Sequence, residues 1–224
     1  MPESNKTLLR KLDVLGRVRL SDSFFMRDML YSEIASAHGM INMPDDPDLA
    51  IEAGRGLCAN VLEPLQIALG PVSIRSAYRS PEVNSFGNKH DFNCANNEKN
   101  AAHHIWDVKD SNGYIGAVAC IVVTRFIDWY EQTKDWTALA WWIHDNIPAY
   151  SSQYYFPKYA ACNLGWSDNP NIVKSIKTYV TNPHTGNKKA LLSDGKPVIE
   201  SERYRFYLPW TESIYLNETT LSKE

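Results

Sequence analysis

The longest apolar stretch of the chain, residues 115–127, sets the first limit on what it can fold into. Thr124 and Arg125 interrupt it, and it falls short of the roughly 18 uninterrupted apolar residues that a membrane-spanning helix needs. The apolar side chains therefore have to be buried against one another and not in lipid. Ile115, Val118, Val122, Phe126 and Trp129 recur at helical spacing, which predicts a helix whose broad apolar face packs on a sheet.

At 224 residues the chain is long enough for one generous core, and a 12% aromatic share with 22% charged residues argues for a folded chain. A formal charge of −3 provides no basic stripe for releasing phosphate counterions, so neither nucleic acid nor membrane is expected as a partner. The first sixteen residues, MPESNKTLLRKLDVLG, lack the apolar centre of a secretory signal. Synthesis in the cytosol is the expectation, with any extracellular role needing another export route. Cys58, Cys94, Cys120 and Cys162 form no CxxC pair, which removes zinc-ribbon and thioredoxin readings. Reduced thiols are expected, with Cys58 and Cys120 inside apolar helical patterns.

Residues 1–20 read as a short basic lead. Ser21, Asp22 and Ser23 offer a cap to a helix with Met26, Leu30 and Ile34 on one face, closed by Gly39. Leu57, Val61, Leu65 and Leu69 make a second ladder, which Pro64 kinks or restarts. Residues 72–78 alternate as a half-buried strand, and residues 82–100, with six asparagines, read as a long loop. Leu139, Trp142 and Ile143 mark a short helix, and residues 151–157 a further strand. Beyond residue 170 the chain alternates weakly, with turns at Asn182-Pro, Thr185-Gly and Asp194-Gly. This suggests a β-rich extension over 171–224, in which Tyr204, Phe206, Tyr207, Trp210 and Tyr215 either anchor an interface or cover the domain's own sheet.

Four stretches within residues 21–170 resemble the peptidase M15 family. They are the segment from Phe24 to Ile41-Asn42-Met43-Pro44; Val61-Leu-Glu-Pro-Leu65 with Gly70-Pro-Val-Ser-Ile-Arg-Ser-Ala-Tyr-Arg-Ser-Pro81; His103-His-Ile-Trp-Asp-Val-Lys-Asp110; and Trp142 to Gly165-Trp166. The resemblance implies an α+β, Hedgehog/DD-peptidase-like fold, a small antiparallel sheet with packed helices. It also implies one zinc ion, held by His103 and Asp110 at the family's spacing of seven. Neutral imidazole and carboxylate bind zinc at about 2.0–2.2 Å and leave a position for the attacking water. One alignment gives Asp168 as the third ligand; the other gives His144, with Asp145 as general base. Trp106 and Val108 stand where the family has glycine and alanine, and His104 with Asp107 forms a shifted alternative pair. Arg79 resembles the arginine that faces substrate and stabilises oxyanion charge, with Tyr78 packed beneath it. His38, His90 and His184 lack acidic partners at ligand spacing and read as surface or loop residues.

The activity so implied is zinc-dependent hydrolysis of a peptidoglycan stem peptide by a phage-encoded protein, found in the virion or in the host cytoplasm before lysis. The alternative is a virion structural, baseplate or tail protein on a catalytically degenerate scaffold, contacting other virion proteins. A third reading is a wall-binding module without hydrolysis.

Overall fold

Side-chain caps and prolines, more than apolar periodicity, fix where the chain turns in its first hundred residues. The computed structural model describes residues 5–193, 196–197 and 203–221. Helix α1 (Asn5–Gly16) is followed by a single turn, α2 (Met26–Met29), and by α3 (Glu33–His38). The continuous helix expected over this region is broken. Ser21 and Ser23 are engaged by the Glu63 carboxylate and do not cap it, and Ser32 caps α3 instead, accepting from the Ala35 N–H at 3.3 Å.

Asp46 and Pro47 start α4 (Pro47–Leu57), which passes through a wider π turn, Cys58–Leu62, into α5 (Glu63–Leu69). A proline ring clashes with the carbonyl four residues back in an α-helix, and the wide turn just before Pro64 absorbs that clash. Strand β1 (Val72–Ser76) follows. The asparagine-rich stretch is not one loop: α6 (Pro81–Lys89) is capped by Ser80, and α7 (Asn97–Asn100) by Asn96. Both helices escape a periodicity reading because few of their residues are apolar.

The largest departure is at residues 115–127. These residues hold strand β2 (Gly116–Val123), buried along its whole length, then a 3-10 turn (Thr124–Phe126) and the start of α8 (Ile127–Thr133). A strand covered on both faces has no polar alternation to reveal it, so its apolar run mimics a helix face. Cys120 accordingly sits in a strand. Helix α9 (Thr137–Asn146) and β3 (Tyr150–Tyr155) lie close to their expected places, and a further strand, β4 (Cys162–Ser167), follows them. Then come β5 (Ser175–Thr178), the two-residue strands β6 (Leu192–Ser193) and β7 (Lys196–Pro197), and α10 (Tyr204–Leu221). Thus the described part of residues 171–224 is helical as well as β. The Asp194-Gly195 turn and the Tyr215 side chain lie outside the described residues.

The fold is α+β. Its open sheet runs β1-β2-β4-β3-β5-β6-β7, the first five strands carrying nearly all of it. β1, β2, β4 and β3 pair antiparallel, but β5 runs parallel to β3, so the sheet is mixed where an antiparallel one was expected. Ala117, Ala119, Ile121 and Val123 of β2 join the main core with Leu57, Val61 and Leu65. On that same face Gln153 of β3 donates to the Ala140 carbonyl of α9 at 3.2 Å. Trp210 of α10, 1% exposed, meets Phe126 edge-on at 4.7 Å. Helices thus cover one face of the sheet. No helix among the described residues is long and apolar enough to cross a membrane.

Candidate functional site

Strand register assembles the other face. Cys120 of β2 is paired with Asn163 of β4, Asn163 with Tyr154 of β3, and Tyr154 with Lys177 of β5. Residues paired across strands point to the same side, so these four form one row across the sheet. Val118, Gly165, Ser152 and Ser175 form the next row by the same pairings. Asn163 and Tyr154 of the first row line one depression, Val118, Ser152 and Ser175 of the second row line another, and the two share no residue.

A cleft of about 420 Å³ over the first row is lined by Arg79, Asn93, Asn100, His104, Asn163 and an aromatic wall of Tyr154, Phe156 and Tyr179. Arg79 is held from several directions. Its backbone N–H donates to the His104 carbonyl at 2.7 Å, and its Nη1 donates to Asn84 Oδ1 at 3.3 Å and contacts Cys94 Sγ at 2.8 Å. Asn84 is fixed in turn by the Ala95 carbonyl, Asn97 and Asn100. Buried Asn42 clamps the flanking backbone, donating to the Leu30 and Tyr78 carbonyls and accepting from the Ser80 N–H. Asn84, backed by Asn97 and Asn100, thus ties the asparagine-rich segment to the guanidinium.

His104 is fully packed and neutral. Its Nδ1 is 2.8 Å from the Ala77 carbonyl, which can only accept, so the proton resides on Nδ1 and Nε2 accepts from Asn163 Nδ2 at 3.3 Å. Burial, with the nearby Arg79 charge, pulls its pKa down to about 3. Among the described residues no carboxylate lines the cleft, although Arg79 also borders a neighbouring depression that Glu33 lines. On the far wall the Tyr154 and Tyr179 rings lie 4.7 Å apart, with Phe156 at 5.7 Å from each. Desolvation and the hydrogen bond to Tyr179 push the Tyr154 hydroxyl up to about 12.

The second depression, about 180 Å³, brings His103 and Asp110 together with Ser151, Ser152, Ser167 and Ser175. Desolvation, then the Lys177 charge, lowers the His103 pKa against the opposing pull of Asp110. Asp110 is occupied locally: its Oδ1 accepts from the backbone N–H groups of Asn112 and Tyr114 at 2.8 and 2.9 Å. Neither candidate third ligand lines this depression. Asp168 Oδ1 accepts from the Ile115 N–H at 2.8 Å, extending the β2–β4 ladder by one rung. His144 Nδ1 lies 2.5 Å from the Tyr150 hydroxyl beneath α9. Asp145 is paired with Arg203 at 3.0 Å and lines neither depression. Among the described residues no three His, Cys, Asp or Glu side chains converge as a metal site. The donors present, one imidazole and one half-committed carboxylate, do not fit the closed or three-ligand sets that zinc takes.

The shifted pair is divided as well. Asp107 accepts from the Tyr78 hydroxyl at 3.1 Å and from the Asp45 N–H at 2.8 Å, on the core side. Trp106 is wholly buried, its Nε1 donating to the Val118 carbonyl. His184 does have an acidic partner, Asp135 at 2.8 Å, which a separation of 49 residues concealed from spacing arguments. Asn163, Tyr154 and Tyr179 escaped sequence reasoning altogether. The signal for them is a polar or aromatic residue at alternate strand positions, meaningful only once the register is known.

No family model matches the chain, nor does any curated protein or solved structure.

Proposed function

We propose that the chain is a binding domain for peptidoglycan stem peptides that does not hydrolyse them, on the Hedgehog/DD-peptidase-like scaffold its sequence resembles. One observation carries this reading: a guanidinium fixed by its neighbours lies in a cleft that no carboxylate lines among the described residues, beside an imidazole held neutral. A preorganised guanidinium matches a carboxylate in charge and planar geometry, and its ordering cost is met before the ligand arrives. A stem peptide presents such a carboxylate at its D-alanine end. The neutral His104 adds no competing charge.

Calorimetry with a D-Ala-D-Ala-terminated stem peptide and its C-terminal amide tests the reading. A hydrogen bond to a charged group contributes about 1.5–3 kcal/mol, so amidation and Arg79→Ala should each weaken binding roughly 10- to 100-fold. Equal affinity for acid and amide would overturn it. The peptidase reading is favoured by one fact, that His103 and Asp110 share a depression. Peptide cleavage by the zinc-supplemented protein, abolished in His103→Ala, would replace the binding reading with that one.

A further inference from the structure

The aromatic wall of the Arg79 cleft has no role in holding a carboxylate, yet three rings are gathered there from separate stretches of chain. Tyr154 lies in β3 and Phe156 just beyond it; Tyr179 follows β5 and is 57% exposed. The parallel pairing of β5 with β3 brings them together, and the Tyr179 N–H donates to the Tyr155 carbonyl at 3.0 Å. Tyr154 and Phe156 are half-buried and Tyr179 is exposed; the ring area they still show to water is contiguous and lines a cleft, which suits a ligand that covers it.

Two features restrict what that cover is. The remaining cleft lining is amide, imidazole and cation, from Asn93, Asn100, Asn163, His104 and Arg79, with Ala95 and Pro157 as its other apolar members. An aliphatic peptide anchor would find no pocket of its own kind. The rings are also tilted, at 58°, 41° and 35° to one another, which makes a corrugated wall and not the parallel slot that clasps a flat nucleobase. A pyranose ring suits both features. Its axial C–H bonds, slightly positive, rest on the negative face of an aromatic ring, while its hydroxyl and acetamido groups pair with carboxamides that both donate and accept.

We infer that the Tyr154, Phe156 and Tyr179 wall is a saccharide platform for N-acetylated amino-sugar oligomers, adjoining the peptide carboxylate held by Arg79. The inference rests on the stem-peptide reading and extends it: the ligand is a glycopeptide, with its sugar on the rings and its acid on the guanidinium. Chitotriose, which is neutral and carries no peptide, separates the two claims. Titrating it into the ¹⁵N-labelled full chain should shift amide resonances around residues 154–156 and 179. Tyr179→Ala should weaken binding at least about fivefold, whereas Tyr179→Trp, which keeps a ring, should retain it. Tyr179 is largely exposed, so both variants are expected to fold. Peptide binding without any chitotriose shift would overturn the platform and leave the peptide reading standing. Chitotriose binding without peptide binding would do the reverse. Chitotriose shifts unaffected by Tyr179→Ala, or displaced by a single-stranded oligonucleotide, would also overturn the platform.

Discussion

Replacing Asp110 distinguishes a turn-forming carboxylate from a metal-binding one. Its Oδ1 accepts two backbone N–H bonds, from Asn112 and Tyr114, while Asp110 and Tyr114 close the same turn through an N–H to carbonyl bond at 2.9 Å. Asp110→Ala removes both side-chain acceptors. A single net hydrogen bond contributes about 0.5–1.5 kcal/mol and loss of a capping side chain about 1 kcal/mol. Asn112 is exposed, so water recovers part of its bond, and the expected loss is about 1–2 kcal/mol. With a urea slope of about 2.5 kcal/mol/M for a chain this size, the midpoint should fall by roughly 0.4–0.8 M. Asp110→Asn keeps one carbonyl acceptor and should lose less than half of that. Urea titrations of wild type and both variants, with and without EDTA, provide the test. The reasoning fails if Asp110→Ala unfolds at the wild-type midpoint, or if EDTA alone lowers the wild-type midpoint by a comparable amount.

Other consequences can be checked in the same way. His104 is neutral in the fold with a pKa near 3, against about 6.5 in the unfolded chain. Between these values the unfolded chain binds the extra proton, so stability is lost as pH falls below 6.5, at up to about 1.4 kcal/mol per unit from this group. A His104 ring resonance that titrates near 6.5 in the folded protein would refute this. Gly116→Ala would place a Cβ 2.4 Å from the Ala102 carbonyl oxygen and 2.9 Å from that of Trp166; both are backbone atoms, so about 1–3 kcal/mol should be lost and the His103 and His104 resonances should move. Trp210→Ala should cost about 3–5 kcal/mol by emptying a core position, nearer the lower figure because the buried Nε1 has no partner among the described residues. An unchanged melting temperature would mean that α10 is not part of the core.

Much of the local structure was written in short-range chemistry. The alternation of residues 72–78, the apolar ladder ending at Leu69, and the strand read at residues 151–157 are each signalled by residues only a few positions apart, and the structure places each close to where its pattern does. Local signals fared worse where tertiary contacts overrode them. Ser21 and Ser23 have the chemistry of a helix cap but bond to Glu63 some forty residues away, and β2 is an apolar run whose burial on both faces removed the alternation that would have identified it.

The same division holds for the candidate site. Sequence alone singled out Arg79 and placed His103 seven residues before Asp110, because a motif is a statement about spacing along one segment. It could not pair Cys120 with Asn163 and Asn163 with Tyr154, nor set Tyr179 beside Phe156, because those neighbours follow from strand order and register across the sheet. Nor could it assign adjacent histidines to different depressions: His104 turns its Nδ1 to Ala77 and its Nε2 to Asn163, while His103 faces Asp110 and the serines. Spacing is fixed by covalent bonds, whereas the side of the sheet on which a ring lies is fixed by packing, and only the folded chain decides that.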